Sequence, residues 1–429
     1  MWIPRLRQRT MLAAGAVAVS LATTAVLLFS SQGQGQLGST RPSAPRKPRS
    51  YGETWNPTIR VNLTPAALAE VPFSVDGPCS IIVPGTNRVL STPNRIDKTV
   101  AAVDGAGIRI GETLFPASEL EIVPVQTPAI WVARHQYRGT VRLLRQTGDR
   151  LIAVNHLPLE EYIASVVFSE VPSTFGLAAR QAQAIVARTY AVSQMKGHPS
   201  FDVFATSRSQ MYLGYQYENS EGKRLAGESH NTRDIATETA GVVCTHNGKV
   251  FTAYYSAACG GRTINGRTVF TDAAPVVRNV ECNWCREADR YRWDSTVPVD
   301  EASRLLADHL KAKGKTFGTV RSIKLAAGPS GDLPFYNISD GKVSHKIAGT
   351  DLRRIMPYGV LHSPDFEASQ DATTIRFSGR GHGHGVGFCQ WGAAGQAKAR
   401  RSALEIIRYY YPGAGTVRLR PPKATGPSD

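Results

Sequence analysis

Glu170 stands where a helical pattern stops, in Ser169-Glu170-Val171-Pro172. The negative end of a helix dipole and the apolar neighbours Phe168 and Val171 both disfavour a carboxylate there, so its pKa is expected to rise. A carboxylic acid that keeps its proton near neutral pH can pass it to the oxygen of a breaking glycosidic bond. The structural alternative is a surface glutamate beside a helix end, the commoner case for a lone Glu. Arg188 lies in an alanine-rich stretch that reads as a buried helix, Ala187-Arg188-Thr189-Tyr190-Ala191. A buried guanidinium needs an acidic or carbonyl partner. It either clamps the acid or a sugar acetamide, or closes a structural ion pair.

A second group of candidates lies further along. Gly379-Arg380-Gly381-His382-Gly383-His384-Gly385-Val386-Gly387 alternates glycine with other residues, which lets backbone come close to a ligand or to another strand. His382 and His384 would project to one side of an extended chain and could hold a metal. With no acidic partner or third ligand in view, hydrogen bonding to a sugar or a carboxylate ranks above that. The six cysteines are Cys79, Cys244, Cys259, Cys282, Cys285 and Cys389. Cys282-Asn283-Trp284-Cys285 has zinc-knuckle spacing, and with Cys259 and Cys389 it could complete a four-thiolate structural site. Outside the cytosol two disulfides from the same four residues rank slightly ahead, and both readings stay open.

These residues need elements to hold them. Between 59 and 146, short alternating runs such as Ile59-Arg60-Val61-Asn62-Leu63 are separated by Gly and Pro, which predicts an accessory region of antiparallel strands. Pro158, Glu160 and Glu161 suit the first turn of a helix whose apolar stripe is Tyr162, Ile163, Val166 and Val167, ending near Ser169. A second helix is predicted over about 176–195, its alanines allowing close approach of neighbouring backbones. Strands recur over 241–256, a mixed segment follows to 377, and the glycine-rich loop leads into a last helix over 393–410. The fold class is α+β, with strands and a few helices framing one substrate cleft.

The N-terminus sets the compartment. Arg5, Arg7 and Arg9 precede an uncharged stretch over 11–30, which at 1.5 Å per residue reaches across a hydrocarbon core of about 30 Å. This reads as an uncleaved signal anchor, a transmembrane helix over 1–30 that exports the rest. Residues 31–58 are a basic Pro/Ser/Gly-rich linker, and 416–429 a disordered tail. Fifty Lys and Arg against 34 Asp and Glu give a net charge of +16, which favours acidic partners such as headgroups or wall polymers. No zinc-finger spacing, RRM aromatic motif or base-reading basic helix is present, so nucleic acid is not the expected partner.

Taken together, several motifs resemble one family. They are Asn155-His156-Leu157-Pro158-Leu159-Glu160-Glu161-Tyr162, the Ser169–Pro172 segment, and Ala182-Gln183-Ala184-Ile185-Val186-Ala187-Arg188-Thr189-Tyr190-Ala191. Ser209-Gln210-Met211-Tyr212-Leu213-Gly214, Tyr254-Tyr255-Ser256, Cys259-Gly260-Gly261-Arg262-Thr263 and Gly383-His384-Gly385-Val386-Gly387-Phe388-Cys389-Gln390-Trp391-Gly392-Ala393 continue the series. Their order and length resemble the stage II sporulation protein D (SpoIID) family of peptidoglycan lytic transglycosylases, over roughly 59–412, with the catalytic domain at 147–415. The resemblance implies Glu170 as the acid/base that cleaves between N-acetylmuramic acid and N-acetylglucosamine, leaving 1,6-anhydro ends with no cofactor. It also maps Arg188, Gln210, Tyr212, Ser256, His384 and Gln390 to substrate-binding positions. The partners it implies are peptidoglycan glycan strands on the extracytoplasmic side of a bacterial membrane. Relatives described as enhancers of wall amidases make a non-catalytic binding module the alternative. Some relatives hold zinc with mixed Cys and His near the Cys-Gly-Gly segment, whereas here Arg262 and Thr263 follow the glycines.

Overall fold

Strict alternation of side chains in the N-terminal half builds two sheets that share one core. The computed structural model describes residues 55–86, 88–195 and 197–421. The expected signal anchor and nearly all of the expected linker lie outside the described residues. Among the described residues no helix is long and apolar enough to cross a membrane. The chain divides into two units, one of residues 51–217 and 226–429, the other of 1–50 with 218–225. The described part of the smaller unit is a turn in which Asn219 Oδ1 accepts the Glu221 and Lys223 N–H groups.

In the larger unit one sheet has the strand order Val203–Phe204, Thr58–Asn62, Arg150–Pro158, Thr140–Gln146, Glu119–Pro124, Cys79–Ile82, Val89–Ser91. A second contains, in order, His135–Tyr137, Ile130–Val132, Glu70–Val75, Ile96–Asp104, Gly107–Ile110 and Thr113–Phe115. Residues such as Ile59, Val61, Leu120, Ile122 and Leu143 from the first sheet, and Val71, Ile108 and Ile130 from the second, are buried in a common core. The boundary expected at 146/147 falls inside a hairpin, because Thr140–Gln146 pairs antiparallel with Arg150–Pro158 and sets Gln146 opposite Arg150. The 59–146 region, expected as an accessory part, therefore shares one core with the strand and helices C-terminal to it.

Seven helices lie among the described residues: α1 Leu159–Glu170, α2 Leu177–Gln194, α3 His230–Glu238, α4 Val299–Lys311, α5 Gly349–Ile355, α6 Gln390–Lys398 and α7 Ala403–Tyr410. α1 continues directly from the strand ending at Pro158, and Asn56 Oδ1 accepts the Glu160 N–H at its start. It stops at Glu170 because Pro172 disfavours the helical conformation of the residue before it. Glu170 is thus the last helical residue rather than the first beyond the helix. In place of the single helix expected over 393–410, the chain turns at Arg400 (φ 62°) and restarts at Ser402. Ser402 and Glu405 form a reciprocal capping box, which is legible in the sequence Ser402-Ala403-Leu404-Glu405. The expected tail also begins later, since Gly415–Arg418 is a strand paired with Val242–His246.

A second hydrophobic core lies between the CxxC segment and the glycine-rich loop. It gathers Trp293, Val297, Leu306, Ile338, Ile375 and Phe377 from a sheet-and-helix body that includes α4 and α5. Its first strand, Arg292–Pro298, pairs antiparallel with its last, Thr374–Arg380, placing Arg292 opposite Arg380.

α1, α2 and α3 are tied together by Arg188, whose side chain has no exposed surface. Its Nε and one Nη bind the two carboxylate oxygens of Glu160 at 2.9 and 2.6 Å. The remaining donors reach the Val242 and Ala236 carbonyls and Thr239 Oγ1, each at 3.2 Å. The structural ion pair, not a substrate clamp, is what the geometry gives. Removing one member of a buried pair leaves the other charge without its partner, so Arg188→Met is expected to cost about 3–5 kcal/mol in chemical denaturation. A loss below about 1 kcal/mol would contradict this role.

Candidate active site

The C-terminal residue of α1 carries a carboxyl that accepts hydrogen bonds from three distant segments. Glu170 Oε1 accepts the Met211 backbone N–H at 2.8 Å and the Tyr255 hydroxyl at 3.1 Å. Its Oε2 accepts Gln390 Nε2 at 3.2 Å. Burial pushes the Glu170 carboxyl above the ordinary glutamate range, and the Met211, Gln390 and Tyr255 hydrogen bonds pull it back only in part. The direction is the one expected from the sequence, and burial is its main cause.

Tyr255 is positioned in turn by Gln210, whose Nε2 donates to the Tyr255 hydroxyl at 3.0 Å while its Oε1 accepts from Tyr162 at 3.0 Å. Gln210 is fully buried, so it supports Tyr255 and presents no surface to a glycan. Tyr212 is likewise buried, with its hydroxyl donating to Asn155 Oδ1 at 2.8 Å. Arg188, Gln210 and Tyr212, expected at substrate-binding positions, are all buried and make their hydrogen bonds inside the protein. Gln390 does reach the site, through its bond to Glu170.

The glycine-rich loop explains how Tyr255 and Gln390 come together. Tyr255–Ser256 and Phe388–Cys389 pair as parallel strands, with Tyr255 opposite Phe388 and Ser256 opposite Cys389. Gly387 has φ +73°, and a Cβ there would run into the Tyr254 carbonyl oxygen. Glycine is needed for this close approach of two backbones. Gln390 then opens α6 directly after the strand. Ser256 is buried with its hydroxyl unpartnered among the described residues. His384 accepts the Val386 N–H at Nδ1 (3.0 Å) and lies edge-on to Phe270, itself stacked on Tyr254 at 3.8 Å. Burial pushes the His384 pKa down to about 4, which keeps the ring neutral at physiological pH. The only metal-competent group found among the described residues is of cysteines, so the paired-histidine metal reading of His382 and His384 gains no support from the geometry.

Those cysteines are Cys259, Cys282, Cys285 and Cys389, whose Sγ atoms all lie within 4.8 Å of one another. None of the six cysteines is in a disulfide. Cys389 immediately precedes Gln390, so the cluster adjoins the acid's hydrogen-bond network. Sequence reasoning missed Tyr255 and the Met211 N–H as the donors on Glu170. Tyr255 lies inside the Tyr254-Tyr255-Ser256 motif, but a tyrosine beside a serine carries no pattern that says which faces a carboxyl. A backbone donor leaves no residue-type signal at all.

Comparison with known proteins finds related sequences. The sequence model of a family described as Stage II sporulation protein (SpoIID) matches residues 147–246. A domain of unknown function (DUF8618) matches residues 276–387, which bracket the second core. The chain is 30% identical over 273 residues to stage II sporulation protein D of Bacillus subtilis (strain 168), covering 61% of this chain and 75% of that protein. It is 28% identical over 354 residues to stage II sporulation protein D of Bacillus amyloliquefaciens, covering 80% of this chain and 94% of that one. An amidase enhancer of Bacillus subtilis (strain 168) is 25% identical over 295 residues, covering 58% of this chain and 39% of the enhancer.

Because donors to a carboxylate stabilise its charged form, Tyr255→Phe and Gln390→Met are each expected to raise the Glu170 pKa further, read by carboxyl-carbon NMR titration. A fall in either variant would contradict the assignment. A carboxyl whose pKa is higher folded than unfolded destabilises the fold as pH rises from the unfolded value, about 4.3, through the folded one. Glu170→Gln should therefore be more stable than wild type at neutral pH, with the advantage gone below about pH 4 in urea denaturation.

Proposed function

The chain belongs to the stage II sporulation protein D family, and on that premise we propose that it is a peptidoglycan lytic transglycosylase with Glu170 as its acid/base. The observation that carries this reading is the Glu170 carboxyl, half-buried, raised in pKa and fixed by three donors. Oε1 already accepts two hydrogen bonds, so the proton belongs on Oε2, which accepts one long one.

From Oε2 the proton passes to the oxygen between N-acetylmuramic acid and N-acetylglucosamine as the C1–O bond breaks and C1 takes on oxocarbenium character. The carboxylate then removes the proton of the muramic C6 hydroxyl, whose oxygen attacks C1 and closes the 1,6-anhydro ring. Glu170 ends protonated, as it began, and no water is consumed. While Glu170 is ionised, the Met211, Tyr255 and Gln390 donors stabilise its charge. One carboxyl suffices because nucleophile and leaving group belong to the same substrate. In this reading the chain faces the cell wall from outside the cytosol, tethered by residues 11–30, and peptidoglycan strands are its partner.

A second reading comes from the similarity to an amidase enhancer: the same surface would bind glycan strands and recruit a wall amidase without cutting. The deciding experiment incubates the full-length protein, wild type and Glu170→Gln, with intact and peptide-stripped glycan strands and analyses the products by mass spectrometry. Wild type should produce anhydro-muramyl ends, and Glu170→Gln should lose about 10²–10⁴-fold in rate. Strand binding by both proteins with cleavage by neither would replace the enzyme with the enhancer reading.

A further inference from the structure

We propose that Cys259, Cys282, Cys285 and Cys389 form a structural tetrathiolate zinc site that closes the base of the second core. The inference stands on geometry separate from the glycan-cleaving reading and survives its failure. Cys282, Cys285 and Cys389 are buried and Cys259 is half-buried. The Cys259 and Cys285 sulfurs are 3.6 Å apart. A disulfide needs about 2.05 Å. A tetrahedron of sulfurs about 2.3 Å from zinc has edges of about 3.8 Å, close to the observed separation.

The surroundings suit thiolates. Cys389 Sγ accepts the backbone N–H groups of Cys259 and Gly392, each at 3.3 Å, and the Tyr410 hydroxyl lies 3.2 Å from Cys282 Sγ. Such bonds orient metal-bound sulfur and spread its charge. Gly392 leaves room at this point of α6, because a Cβ there would run into the Tyr410 hydroxyl and come to 2.8 Å from Cys282 Sγ. Four soft ligands select zinc over magnesium or calcium, and with all four positions taken by protein the role is structural.

The placement says what the metal would hold. Cys259 and the CxxC pair precede the second core, and Cys389 comes after it, so the ion joins the two ends between which that core is inserted. It also fixes the residue before Gln390, and with it the amide that meets Glu170.

The test uses the full-length protein purified without chelator or added metal. Plasma mass spectrometry should find close to one zinc per chain, and non-reducing peptide mapping should find the four cysteines unlinked. Replacing zinc by cobalt should give intense thiolate-to-metal absorption with tetrahedral visible bands. Cys285→Ser should lose the metal, whereas Cys79→Ala, outside the cluster, should keep it. If Cys285→Ser does not fold, titrating wild-type thiols with a mercurial should release zinc in step with modification of these four residues. Disulfide-linked peptides among the four with little bound zinc, or zinc retained after all four are modified, would overturn the proposal.

Discussion

A guanidinium with no exposed surface must find an acceptor for nearly every N–H, and the helical centre of this protein is arranged around that requirement. Arg188, on α2, draws in Glu160 at the start of α1, Ala236 and Thr239 at the end of α3, and the Val242 carbonyl. The Gly241 N–H adds a further bond to Glu160 Oε1 at 3.0 Å. Once its N-terminal end is fixed, α1 has little freedom: Tyr162, Ile163, Val166 and Val167 are buried along its length. Glu170 therefore emerges at a set place. The buried pair is weak evidence for net stability, since desolvation offsets much of the attraction. Its consequence is specificity of position.

The second constraint acts on Glu170 itself. Burial alone would make its carboxylate costly, and unopposed hydrogen bonding would lower its pKa too far for it to hold a proton near neutral pH. The observed site lies between these limits, with burial as the larger effect. The donors lie 41, 85 and 220 positions away in sequence, so the balance exists only when the whole body is folded. Tyr255 reaches the acid from one of two paired parallel strands and Gln390 from the helix residue directly after the other, and the glycine at 387 allows the two strands to approach. The glycine-rich loop thus works first as a backbone contact.

Local elements were legible because local rules decide them. The limits of α1 and α2 came from Pro158, Pro172 and the apolar stripes to within a residue or two. The strands of 59–146 came from alternation. Their reading as an accessory region could not include the hairpin pairing across 146–150, which depends on partners that alternation does not name. Arg188 was legible as buried, yet its partner was not, since Glu160 is 28 positions away and reads equally well as a helix-dipole residue. Tyr212 and Gln210 stand in a motif beside Met211, and spacing does not say which of three neighbours turns inward. The four cysteines were legible as a set, and their convergence needed the fold.

The second core shows why so large a segment can stand between the CxxC pair and the loop that carries Gln390. Its first and last strands are antiparallel neighbours, so the chain leaves at Arg292 and returns at Arg380, directly opposite. The ends of the insertion are then as close as the two sides of a hairpin, and loop-closure entropy depends only weakly on the length between them. Hydrogen bonds of Gly381 N–H to the Arg290 carbonyl and of His382 N–H to the Ala258 carbonyl continue that closure toward the cysteines. The inserted body brings its own apolar residues and so does not draw on the core that positions Glu170. What it demands of the parent fold is a tight junction at its base, the place where the four thiols converge.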